Sequence, residues 1–100
     1  MTEKIYYLIE TQFQLNSPRR KDGSSFTVNE KSVGVVVGAF EKDYEIWFNC
    51  IFLAKREFYD KNENLATSKE RFLYNIKKED VNILGWGKPP FDMLEGDVYF

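Results

Sequence analysis

The fifteen residues from Glu45 to Tyr59, EIWFNCIFLAKREFY, constrain the fold more than any other stretch of this chain. Ile46, Phe48, Cys50 and Phe52 fall on one side of an extended backbone and Trp47, Ile51 and Leu53 on the other, the period of two that marks a strand. Apolar residues on both sides imply a central strand, covered on both faces for part of its length. Such a strand needs neighbours, and the rest of the sequence can be searched for them.

Lys4 to Leu15 alternates in the same way, with Ile5, Tyr7, Ile9, Phe13 and Leu15 on one face and Lys4, Glu10, Gln12 and Gln14 on the other. It reads as a long antiparallel strand with one buried face, although Tyr6 and Leu8 interrupt the polar side. Asn16 to Ser25 collects Asn, Ser, Pro, Asp and Gly, residues that favour turns, and is read as a loop. Ser32 to Phe40, SVGVVVGAF, is rich in valine, whose branched side chain suits a pleated sheet; Gly34 and Gly38 then mark bends or close approaches. A helical alternative rests on Thr27 and Glu30, which have the spacing of a capping box.

Glu41 to Tyr44 reads as a turn, and the polar group DKNEN ends the central strand. Thr67 and Glu70 repeat the T-x-x-E spacing ahead of SKERFLYNIKK, which predicts a helix over residues 68–78 with Phe72, Leu73 and Ile76 on one stripe. Val81 to Leu84 reads as a final buried strand. These elements add up to an α+β fold: a single domain over residues 1–100, with an antiparallel sheet of four to five strands and one or two helices packed on one face. With 43% hydrophobic and 30% charged residues, the composition is that of a folded globule.

Several chemistries are disfavoured by what the chain lacks. It has no histidine, hence neither the commonest general base nor the commonest metal ligand, and with one cysteine it cannot assemble a usual zinc ligand set. No calcium loop and no glycine-rich phosphate loop is present, since GVVVGAF lacks the Lys-Ser/Thr that would reach a phosphate and its magnesium. Cys50 sits among Phe48, Ile51 and Phe52 and reads as a buried structural thiol, which points to a reducing compartment. Accordingly we expect no catalytic residues, no metal and no cofactor. The start, MTEKIYYLIE, does not resemble a signal peptide, so a cytoplasmic setting is expected, and no apolar run reaches the ~20 residues of a membrane span.

Charge gives little direction to a partner. The net charge is −2, spread evenly over the two halves, and the one basic run, Arg19 to Lys21, lies in the predicted loop, so a nucleic-acid partner is disfavoured.

The last seventeen residues, LGWGKPPFDMLEGDVYF, are the most unusual. Gly85 and Gly87 free the backbone around Trp86, and Pro89 and Pro90 stiffen the segment beyond them. Aromatics ringed by acids suit a protein interface that steers a basic partner. Trp86, Lys88, Phe91, Asp92, Glu95, Asp97 and Tyr99 are therefore the candidate partner-binding residues. The competing reading has Trp86, Phe91, Leu94 and Phe100 folding back to close the core. The functional expectation is a small cytoplasmic protein-binding module that blocks a partner, such as a basic nuclease toxin or a defence protein, in the manner of an immunity protein, an antitoxin or a phage counter-defence inhibitor. The alternatives are a structural homo-oligomer joined through a sheet edge, or a small-ligand domain with a pocket of Tyr6, Tyr44, Trp47 and Trp86.

Overall fold

The computed structural model describes residues 4–93 and 97–100. Leu94 and Glu95 therefore lie outside the described residues. The strands are β1 (Tyr6–Thr11), β2 (Leu15–Asn16), β3 (Ser25–Val28), β4 (Val33–Lys42), β5 (Glu45–Tyr59), β6 (Leu65–Lys77), β7 (Val81–Gly87) and β8 (Val98–Tyr99), with one 3-10 turn at Lys78–Asp80. The α+β expectation is thus corrected, because the described residues form a sheet of eight strands and contain no α-helix.

The segment expected to be helical is β6. Its sequence carries both periods: Phe72, Leu73 and Ile76 suit a helical stripe, while Phe72, Tyr74 and Ile76 alternate as a strand requires. Tertiary pairing decides between them, since β6 runs beside β5 in unbroken antiparallel register from Trp47↔Lys77 to Tyr59↔Leu65. Phe72 and Ile76 then bury 95% or more of their surface in the core, a gain that outweighs the few tenths of a kcal/mol per residue of helix propensity. The expected cap is unused, and the Ser68 hydroxyl instead donates to Glu70 Oε1.

β5 is the spine of the sheet. One edge carries β6; the other takes β4 from Lys42↔Glu45 to Gly34↔Phe52 and then β3 from Thr27↔Lys55 to Ser25↔Glu57. β1 and β2 likewise form a single arm. Glu10↔Val33 and Leu15↔Val28 belong to one register, so the expected long strand is present as two pieces with a kink between Thr11 and Leu15, and Ile5 and Phe13, expected on its buried face, are exposed outside them. Thr11 holds that kink: its hydroxyl donates to the Asn29 carbonyl at 2.9 Å and accepts from the Ser32 amide at 3.0 Å, while Lys31 opposite adopts φ 61. The helical alternative at Thr27 and Glu30 is overturned, because Thr27 belongs to β3.

β7 pairs with the free edge of β1, giving the order β7–β1–β4–β5–β6. In a flat sheet, strands four places apart would be separated by about 19 Å. The three-residue turn between β6 and β7 bridges only about 14 Å of extended chain. The sheet must therefore curl into a partly closed barrel. Ile9, Phe48, Cys50, Phe52, Ala54, Phe72, Ile76 and Val81 fill its inner face, joined by Leu15, Phe26 and Val28 from the kinked arms. At Gly34 any side chain would run into the Phe52 ring, which is the close approach expected of that glycine.

No helix covers the outer face among the described residues. The chain leaves β7 at one edge, and residues 88–93 pack on the outer side, where Arg71 donates to the Met93 carbonyl and Phe91 shares a cavity of about 380 Å³ with Leu53. The chain then joins β6 as the short parallel strand β8. Val81–Leu84 is corrected as well: Val81 is buried, but Ile83 and Leu84 are exposed on an edge strand.

Candidate functional site

The two ends of the inner face differ. At one end, Phe26 stacks on Phe72 with centroids 4.5 Å apart, and Tyr99 of β8 lies 5.3 Å from Phe26. Arg20 sits over Phe26 at 4.9 Å and donates to the Phe100 carbonyl at 2.7 Å; Arg56 lies over Tyr99 at 5.2 Å and over Phe58 at 4.4 Å. Asp22 closes this loop by accepting from the Ser24 hydroxyl and amide, and those hydrogen bonds hold its carboxyl below the usual value. Aromatic rings and guanidinium groups together plug the barrel here.

The opposite end has no such plug. Tyr7 contacts Phe48 edge-on at 6.3 Å and Trp86 at 5.3 Å, yet Trp86 remains 74% exposed. Tyr44, Glu45, Ile46, Lys77, Lys78, Glu79 and Ile83 line an open trough of about 500 Å³. Ile83 lies opposite Ile9 and Trp86 opposite Tyr7 on β1, so the trough and the indole share the inner face. Five elements build this mouth: the β4–β5 turn, the start of β5, the end of β6, the 3-10 turn and β7.

Local backbone geometry shows how the side chains are presented. Asp43 and Tyr44 form a two-residue hairpin turn with φ 54 and 65, a conformation in which the second position strongly favours glycine. A tyrosine there costs about 1 kcal/mol of strain and leaves its ring 99% exposed. On β7, the register with β1 shifts between Ile9 and Leu8, and Gly85 takes φ 92, so the strand bulges at Leu84 and turns Trp86 onto the inner face. Lys77 is held by Glu45 at 3.0 Å, which raises its pKa, and its ammonium lies 5.5 Å over Trp47 on the outer face.

The residues expected to form one tail site are dispersed. Trp86 stands at the mouth. Phe91, Asp92 and Asp97 line the outer-face cavity with Lys69, Glu70 and Arg71, and exposed Lys88 precedes them in the strap. Tyr99 belongs to the plug. Phe100 is 81% and Trp86 74% exposed and Phe91 packs outside, so of the described residues it is Tyr99, and not Trp86, Phe91 or Phe100, that closes the core, while Leu94 lies outside the described residues. The pocket of Tyr6, Tyr44, Trp47 and Trp86 is not gathered either, since Trp47 stacks with Phe40 on the outer face. Sequence reasoning missed Ile46, Ile83, Tyr7 and Glu79 at the mouth. The one available signal was a tyrosine, rather than a glycine, in the tight turn after Phe40.

Chemically, the mouth offers contact area and charge. Among the described residues no group of three His, Cys, Asp or Glu side chains is placed to hold a metal ion. Cys50 is fully buried, and burial pushes its thiol up to about 12, well out of the nucleophilic range. No helix among the described residues is long and apolar enough to cross a membrane. Comparison with known proteins adds no kinship: no family model matches the chain, and neither a curated protein nor a solved structure matches it significantly.

Proposed function

We propose that this chain is a protein-binding module that acts by occupying a partner, in the manner of an immunity protein, an antitoxin or a phage counter-defence inhibitor in a reducing cytoplasm. The observation that carries the reading is the mouth itself, where Tyr44, Ile46 and Ile83 stay exposed in a trough that the fold does not fill and Trp86, three residues along β7 from Ile83, stays exposed on the same inner face. Trp and Tyr are the residues that most often anchor interfaces. The strain accepted at Tyr44 adds to this, since glycine would serve the turn better and serve nothing else.

The test is isolation of a stoichiometric complex from the native host, comparing the wild-type chain with Trp86→Ala and with Asp92→Ala/Asp97→Ala, each checked for folding. The expected result is one partner, lost with Trp86→Ala and retained with the tail variant. Retention by Trp86→Ala would overturn the mouth as the binding site. A second copy of the chain in place of a foreign partner would make it a structural oligomer. A small ligand is the second reading, because about 500 Å³ falls within the size range of ligand pockets.

A further inference from the structure

The sheet has two end strands, and the chain treats them differently. The far edge of β6 is met by β8, which pairs with Arg71 and Phe72, and Arg71 also holds the strap through the Met93 carbonyl. β7 pairs with β1 alone. Among the described residues no other strand joins it, and no backbone hydrogen bond from outside β1 reaches Asn82 to Gly87. Sheet edges are commonly guarded by a lysine, a proline or an inward charge, and β7, VNILGWG, carries none of these. Instead it exposes Ile83, Leu84 and Trp86. The nearest charges along the chain are Asp80 before the strand and Lys88 after it, one of each sign. The bulge at Leu84 divides this edge without covering it.

The trough lies against the same strand, since Ile83 is part of its wall. Its charges cancel: Glu45 and Glu79 balance Lys77 and Lys78, and Glu45 holds Lys77 at 3.0 Å. A charged guest would lose hydration there and find no net counter-charge, whereas apolar side chains would cover Ile46, Ile83 and the ring of Tyr44. A second copy of β7 is a poor guest. End-to-end antiparallel pairing of two copies sets Val81 against Gly87 and Ile83 against Gly85, so these apolar side chains meet glycines and gain no cross-strand partner.

We propose that an extended segment of a foreign protein adds to the free edge of β7 as a further strand, with uncharged apolar side chains at every second position entering the trough. This rests on the protein-binding reading and names the form and chemistry of the segment that fills the mouth. Strand addition takes its affinity from main-chain hydrogen bonds and its selectivity from alternate side chains. An open edge beside a charge-neutral trough supplies both.

Calorimetry on the full chain tests it with a capped octapeptide alternating valine with threonine and with two variants of that peptide, N-methylated at the odd or at the even residues. Successive amides of a strand point to opposite edges, so a strand held along one edge uses only one set. One methylated peptide is therefore expected to keep binding while the other binds about tenfold more weakly. Ile83→Lys, which puts a charge on the edge and in the trough at an exposed position, should weaken the unmethylated peptide by a similar factor. No binding of the unmethylated peptide, equal loss in the two methylated ones, or indifference to Ile83→Lys would overturn the proposal. So would a mass that doubles with concentration in the chain alone and reverts in Ile83→Lys, which would make the occupant a second copy. The native complex separates this from the reading beneath it. A complex lost in Trp86→Ala but retained by Ile83→Lys would sink the added strand and leave protein binding standing; a complex retained by both variants would sink both.

Discussion

The two ends of this barrel are made of the same materials put to opposite uses. At the plugged end Phe26, Phe72 and Tyr99 pack against one another beneath Arg20 and Arg56; at the mouth Tyr7 touches Trp86 and Tyr44 shares a trough with lysines and acids, with Trp86 and Tyr44 keeping most of their surface in water. The difference lies in chain supply. Strand β8 and the loop before β3 cover one end, whereas no described segment is left to cover the other. A small domain rich in aromatics can thus close a core at one end and still present rings to solvent at the other.

The contrast breaks first at Phe26. It is 1% exposed, and Phe26→Ala is expected to cost about 3–5 kcal/mol, read as a fall in the urea midpoint. If the loss were below about 1 kcal/mol, the plug would not be a core. Tyr99→Ala removes a half-buried ring together with its contacts to Phe26 and Arg56 and is expected to cost about 2 kcal/mol by the same measurement. Tyr44→Gly should change stability in the opposite direction, by about 1 kcal/mol of gain, because glycine adopts φ 65 without strain. The same variant should bind the partner less well, and a gain in both properties would refute the role given to this tyrosine. The smallest effect belongs to Trp86→Ala, which should leave the midpoint within about 0.5 kcal/mol of wild type while removing the complex.

The sheet was more legible in the sequence than the site. The alternation of Glu45 to Tyr59 and of Lys4 to Leu15 announces β5 and the β1–β2 arm, because a face buried by a sheet imprints a period of two on local sequence. The helix expected over residues 68–78 is strand instead up to Lys77, because Thr67, Glu70, Phe72 and Ile76 satisfy helical spacing equally well, and what resolves the choice is a pairing with β5 that no local window contains. The mouth was hidden for a related reason. Tyr44, Glu79 and Trp86 come from three separate elements, and only the curl of the sheet brings them to one end. In the tail, residue types that look like one site are pulled apart because the chain bulges at Gly85 and then crosses to the outer face.

The strand that carries Trp86 also has a place in time. The β5–β6 hairpin closes through a loop of five residues, Asp60 to Asn64, whereas β7 reaches β1 only by joining positions 81–87 to positions 6–11 across most of the chain. Long loops cost more entropy to close and return it only after the intervening strands are in place. The hairpins are therefore the early structure, and β7 docks last onto a sheet already formed. By the same logic it is the first strand to lift away, so the surface proposed to meet a partner is the part of the fold whose amides should exchange earliest with solvent, and whose exchange a bound partner should slow the most.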